Sequence, residues 1–106
     1  MKTILSIDTT SNEIIKVGLK VENEEHILEH KLDRNKAQVL LPLIEKILKH
    51  NNLELKDLSE IQINPGPGSF TGIRVGLTVA NTLAFILKIP INGKTVGKPA
   101  EPVYQS

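Results

Sequence analysis

Between a short apolar run and a long apolar helix, this chain places Asn64-Pro-Gly-Pro-Gly-Ser-Phe-Thr-Gly-Ile-Arg-Val-Gly76, a connection that opens with almost no side chains. Gly66 and Gly68 let the backbone turn through φ > 0 and approach another group closely. Pro65 and Pro67 stiffen the same loop, so its shape is largely fixed before any partner arrives. Ser69 or Thr71 can cap the helix that follows. The free N–H groups at the start of that helix, with the positive end of its dipole, favour an anion. A rigid strand-to-helix turn has the same composition, so the loop alone does not establish a ligand site.

The helix expected over Phe70–Leu87 adds a second constraint. Gly72, Gly76, Ala80 and Ala84 recur every four residues along it. Such a row lets a neighbouring backbone approach, either the chain's own sheet or a partner. Ile73, Val75, Leu77, Val79, Leu83, Phe85, Ile86 and Leu87 cover most of the remaining surface. A helix apolar nearly all round is buried on more than one side. With one other long helix in the chain, that burial calls for a second protein. The other helix is marked by Ala37, Leu40, Leu41, Ile44 and Leu48 on one stripe, with Val39, Leu43 and Ile47 beside it. Asn35 is its candidate N-cap, and His50-Asn-Asn52 ends it.

Residues 3–7 read as a buried strand that runs into the polar cluster Asp8-Thr-Thr-Ser-Asn12. Residues 14–21 alternate as a second strand, and residues 25–32 form a more polar third, with a hairpin turn at Asn23-Glu24. A short helical turn at residues 55–58 precedes a fourth strand at 60–64, and residues 89–91 make a short fifth. A meander followed by crossover helices predicts a ribonuclease-H-like lobe: an α/β fold with a mixed five-stranded sheet in the order 3-2-1-4-5 and two main helices. Asp8, Thr9 and Thr10 then sit at the carboxyl end of a central strand. Gly66, Gly68 and Ser69 emerge from the same edge, and two such loops form a ligand cleft. The lobe is expected to span residues 1–92. Residues 93–106, rich in Gly, Pro and Lys, read as a flexible tail.

Composition excludes several classes. With 40% hydrophobic and 24% charged residues, the chain is a folded domain rather than a disordered one. A formal net charge of +1 gives direct nucleic-acid binding no electrostatic support. Phe70, Phe85 and Tyr104 are the aromatics, too few for a base-stacking platform. The absence of Cys excludes disulfides, thiolate chemistry and Cys-based zinc sites. No apolar run approaches the ~20 residues that span a bilayer, so no membrane contact is expected. The N-terminus lacks a signal-peptide pattern, and a cytoplasmic location is the default. His26-Ile-Leu-Glu-His30 matches a two-histidine metal spacing, but only a helix brings such a pair onto one ion. In a strand the two histidines stand ~13 Å apart, so no metal site is expected. Arg74 opposes the helix dipole near its positive end, which favours a specific role: meeting an anion near the loop or pairing with a partner's acid. No paired carboxylates, Ser/His/Asp arrangement or Walker loop supports catalysis.

Ile4-Leu-Ser-Ile-Asp-Thr-Thr10 resembles the first phosphate loop of the actin/sugar-kinase/Hsp70 superfamily. Pro65-Gly-Pro-Gly-Ser-Phe-Thr-Gly-Ile-Arg-Val-Gly76 resembles the signature of the TsaB (YeaZ) proteins of the glycoprotease family. Lys36-Ala-Gln-Val-Leu-Leu-Pro-Leu-Ile-Glu45 is similar to that family's first helix. The resemblance covers residues 3–92. It implies a non-catalytic subunit that pairs with the paralogue TsaD, and with TsaE, to make threonylcarbamoyladenosine in tRNA. TsaC supplies the activated threonylcarbamoyl group, and tRNA is met only through the complex. It also implies that the two helices form the partner interface, through Ala37, Leu40, Leu41, Ile44, Ile47, Leu48, Val75, Val79, Leu83 and Ile86. Asp8, Thr9, Thr10, Gly66, Gly68 and Ser69 are then a weak or vestigial ATP/ADP site, with no cofactor required. A self-associating homodimer and a small ATP-binding enzyme of the same superfamily are the alternatives. The chain departs from the pattern in three places. TsaB proteins carry a second lobe, whose absence would leave a nucleotide site half-formed. They often open the first helix with His-Ser-Gln where this chain has Lys36-Ala-Gln38, and commonly have Lys where it has Asn81.

Overall fold

The computed structural model describes residues 2–31 and 36–103. Strands β1 (Thr3–Asp8), β2 (Ile14–Val21) and β3 (Glu24–Lys31) form the meander. Helix α1 (Lys36–His50), a 3-10 turn (Leu55–Asp57), strand β4 (Glu60–Ile63) and helix α2 (Phe70–Leu87) follow. The expected Asn35 cap, Leu32 at the end of the third strand and Tyr104 lie outside the described residues.

The sheet has four strands in the order β3-β2-β1-β4. Antiparallel β1–β2 pairing sets Leu5 opposite Leu19 and Ile7 opposite Val17. Parallel β1–β4 pairing sets Leu5 beside Ile61 and Ile7 beside Ile63. This register puts the apolar set of each strand on one face, as the period of two requires. Leu5, Ile15, Val17 and Ile61 are wholly buried there against Leu40 and Ile44 of α1 and Ile73 and Ala80 of α2. Both helices therefore cover the same face. The opposite face, with Ser6, Lys16, Gly18, Lys20 and Gln62 beside Ile4 and the exposed Ile27, stays open, as an antiparallel-edged sheet permits.

The fifth strand is a correction. Its place beside β4 is occupied, but only by a single parallel bridge between Ile61 and Ile91. Pro90 has no N–H to donate, and Asn92 turns out of the extended region at φ 52°. The Asn92 side chain continues the ladder instead. Its Oδ1 accepts from the Ile63 N–H at 2.8 Å and its Nδ2 donates to the Ile63 carbonyl at 3.0 Å. One amide side chain thus does what the next strand residue would have done.

The segment expected as a flexible tail has a defined course as far as Val103. Ala100 is buried, and its backbone pairs with the Asn81 side chain. Helix α2 is the one helix among the described residues that length and composition would allow to cross a membrane. Its row Gly72, Gly76, Ala80 and Ala84 is buried, with Gly72 and Gly76 against Thr9 and Gly76 also against Ile63 of β4, so one face of α2 lies in the core.

Candidate functional site

The two expected loops do converge, and their contacts define what the cleft can hold. The Thr10 N–H and hydroxyl both donate to Asp8 Oδ1, at 3.0 and 2.7 Å. Asn64 Nδ2 donates to Asp8 Oδ2 at 3.1 Å. Burial pushes the Asp8 carboxyl up, but the hydrogen bonds from Thr10 and Asn64 and the nearby Lys16 charge outweigh it, and its pKa lies below the ordinary value. Asp8 is therefore an ionised carboxylate with both oxygens already engaged. It ties the end of β1 to the residue that opens the glycine loop.

The glycine loop closes onto the first loop rather than standing away from it. The Ser69 N–H donates to the Thr10 carbonyl at 2.8 Å. A Cβ on Gly68 would come within 2.7 Å of Thr10, so only glycine allows this approach. Ser69 is the N-cap of α2, its hydroxyl accepting from the Gly72 N–H at 3.2 Å. The capping role left open between Ser69 and Thr71 falls to Ser69. Asp8 and Asn64 also border the open face of the sheet. There a trough of about 670 Å³ runs from Asp8, Asn64 and Asn92 across Ser6 and Gly18.

Thr9 turns the other way, into the core. Its hydroxyl donates to the Gly72 carbonyl at 2.6 Å, and the residue is fully buried. Gly72 and Gly76 are small because Thr9 is there: a Cβ on either would collide with Thr9 atoms. Lys36, at the start of α1, reaches the same junction and donates from Nζ to the Thr9 carbonyl at 3.0 Å. Burial lowers its pKa while the Asp8 charge works against that shift. Of the six proposed anion-site residues, Thr9 is thus a packing residue, Thr10 and Asp8 bond to each other, and Gly66, Gly68 and Ser69 shape the loop. Lys36 and Asn64 belong to the junction although sequence reasoning did not place them there. The signal available was a lone lysine opening the apolar stripe of α1, and an Asn before the first loop proline.

The proposed interface residues divide in two. Leu40, Ile44, Ile47, Leu48 and Leu83 lie in this chain's own core. They cannot meet a partner without unfolding the lobe, and this corrects the double-stripe reading: Leu40, Ile44 and Leu48 of one stripe and Val39, Leu43 and Ile47 of the other are all buried in the core. Ala37, Leu41 and Ile86 point outward, and Val75 and Val79 are half-buried. Phe85 and Phe70, not on the proposed set, are also outward. Ile86 is 65% exposed, Phe85 76%, Phe70 57% and Leu41 43%. Arg74 lies 5.4 Å from the Phe70 ring centre, a cation–π pair on the first turns of α2. His26 and His30 both fall in strand β3, and the His26 ring lies 3.5 Å from Glu24 Oε2.

Comparison with known proteins agrees with this architecture. The family model described as TsaD, tRNA N6-adenosine threonylcarbamoyltransferase, matches residues 22–93. The tRNA threonylcarbamoyladenosine biosynthesis protein TsaB of Buchnera aphidicola subsp. Baizongia pistaciae is 34% identical over 108 aligned positions, covering 100% of this chain and 48% of that protein. Its namesake from Bacillus subtilis is 36% identical over 93 positions, covering 85% and 39%. The solved structure of YeaZ from Pseudomonas aeruginosa superposes with a TM-score of 0.82 at 33% identity, covering 90% of this chain and 44% of that one. The chain spans about half the length of the relatives it matches.

Proposed function

Since this chain belongs to the TsaB (YeaZ) branch of the threonylcarbamoyltransferase family, we propose that it serves tRNA threonylcarbamoyladenosine modification as a partner-binding subunit. In this reading it performs no chemistry itself. It engages a TsaD-like paralogue through the outward faces of α1 and α2, meets TsaE within the complex and reaches tRNA only through it. It works in the cytoplasm. One observation carries the proposal: α2 gives its small residues to its own sheet and leaves Phe85 and Ile86 in water. Exposed large apolar residues on one helix face mark an association surface.

The cleft supports the non-catalytic half of the reading. Asp8 already has both oxygens bonded within the chain, and the glycine loop is zipped to Thr10. A nucleotide there would displace these contacts, so binding is weak.

The test is the mass of a mixture of this chain with its organism's TsaD paralogue, measured by light scattering after size exclusion. A heterodimer is expected. Ile86→Glu should abolish it while leaving the chain's own melting temperature within a few degrees, because the side chain is exposed. A homodimer that ignores the paralogue, or a heterodimer indifferent to Ile86→Glu, would refute the assignment.

A further inference from the structure

Asn81 sits in the interior of α2, where asparagine is a poor helix former. Its side chain is committed to one residue far along the chain. Nδ2 donates to the Ala100 carbonyl at 3.0 Å, and Oδ1 accepts from the Ala100 N–H at 2.8 Å. This is the pairing that a neighbouring strand would offer to an extended segment. The Ala100 side chain is buried beneath it. Pro99 and Pro102 flank it and bias residues 98 and 101 toward extended backbone, which lowers the entropy lost on docking.

Three residues later the same segment reaches the glycine loop. The Val103 N–H donates to the Pro65 carbonyl at 2.8 Å. Gly66, at φ 109°, lies between the Val103 carbonyl and the end of the Ile73 side chain, and a Cβ there would strike both. The loop is therefore held from two sides, by Thr10 at Gly68 and Ser69 and by Val103 at Pro65 and Gly66.

We propose that the Asn81 flank of α2 and the Pro65–Gly66 backbone form one docking seat for residues 97–103, and that this strap holds the glycine loop in its conformation. The Asn81–Ala100 pair is the latch, and Val103 transmits it to the loop. Anything that draws the strap away from Asn81 loosens the loop at the other end.

Amide hydrogen exchange on the full chain, followed residue by residue by NMR, tests this. In the wild type the Ala100, Val103 and Gly66 amides should be protected. Asn81→Ala raises helix propensity, so the fold is not at risk. It should nevertheless lower protection at Ala100 and Val103 by roughly ten- to hundred-fold, the worth of two hydrogen bonds. Gly66, whose N–H donates to Asn64 Oδ1 at 3.1 Å within the same loop, should follow as the loop loosens, while the amides of β1 and β4 stay unchanged. Ala100→Glu expels the strap from its own side and should give the same pattern. A Val103 amide that exchanges freely in the wild type overturns the proposal. So does a Gly66 amide that keeps its protection in both variants.

Discussion

Gly76→Ala distinguishes the two faces that α2 offers. In an exposed or partner-facing helix, Gly→Ala in the interior is stabilising by ~1 kcal/mol. Here the new methyl would collide with Thr9 Oγ1 and stand 3.0 Å from Ile63 Cδ1. Overpacking of this kind costs ~1–3 kcal/mol. The displaced Thr9 hydroxyl also loses its bond to the Gly72 carbonyl and is left unpaired in the core, a further ~1–3 kcal/mol. Set against the propensity gain, the net expectation is a loss of about 2 kcal/mol, a fall in melting temperature on the order of 10 °C for a domain of this size. Thr9→Ala alone removes one hydrogen bond and should cost ~1 kcal/mol. In that background the hydroxyl is gone, and Gly76→Ala has only the flexible end of Ile63 to move. It should then be close to neutral, so the double-mutant cycle shows a coupling of about 2 kcal/mol. Urea melts of the four proteins at one pH give all the terms, with unchanged m-values confirming that the folded state is comparable. If Gly76→Ala stabilises the isolated chain, or the two changes add within ~0.5 kcal/mol, the small-residue row does not pack on Thr9. The division of α2 into a core face and an open face then fails with it.

Leu48→Glu places a carboxylate in the core rather than at an interface, so it should prevent folding and not merely dissociate a complex; circular dichroism of the isolated variant checks this. Asn92→Gly keeps the positive φ but loses both bonds to Ile63, and should cost ~1–2 kcal/mol in a urea melt. Asn92→Ala adds left-handed backbone strain and should cost more, by ~1 kcal/mol. Because the Asp8 pKa is lowered below its ordinary value of 3.8, its ionised form is favoured by folding. The stability it contributes is present above that value and is lost as pH falls through the lower folded-state value. The stability difference between wild type and Asp8→Ala should therefore be constant near neutrality and shrink below about pH 4, as read from melts across that range.

Much of the fold was legible because its signals are local. Alternation over residues 14–21 and the strand-to-helix loop at 64–69 state their own periods and turn chemistry. The bounds of α2 agree with the expectation at both ends. What stayed hidden depended on distant partners. No pattern in residues 89–92 reveals that an asparagine side chain will stand in for a strand. The Gly/Pro/Lys composition after Asn92 describes the propensity of that segment, not the amide of Asn81 that receives it. The two stripes of α1 were read as two surfaces because a helix on a flat sheet needs one. The core formed by the sheet and α2 instead buries a face of α1 broad enough to take Leu40, Leu43, Ile44, Ile47 and Leu48 together. At the cleft, sequence brought the right loops to the same edge. It could not show that Asp8 and Thr10 would satisfy each other, since that depends on a turn geometry compatible with many sequences.

The distribution of size along α2 is the strongest physical argument about what the helix does. A lobe optimised only for its own stability would turn its bulkiest apolar residues inward, since each buried square ångström contributes ~25 cal/mol. This helix does the reverse on part of its circumference. Glycine and alanine occupy the buried row Gly72, Gly76, Ala80 and Ala84, while Phe85 and Ile86 stand in solvent. Thr9 and the sheet explain why the inner row is small. Nothing within the described residues covers Phe85 and Ile86, which remain largely exposed. The two halves of the helix therefore answer to different partners: the inner half to a backbone that must come close, the outer half to a surface able to take large apolar side chains. In the proposed reading a second protein supplies that surface, and Ile86→Glu is placed to separate the two, since it loads the outer half without touching the inner one.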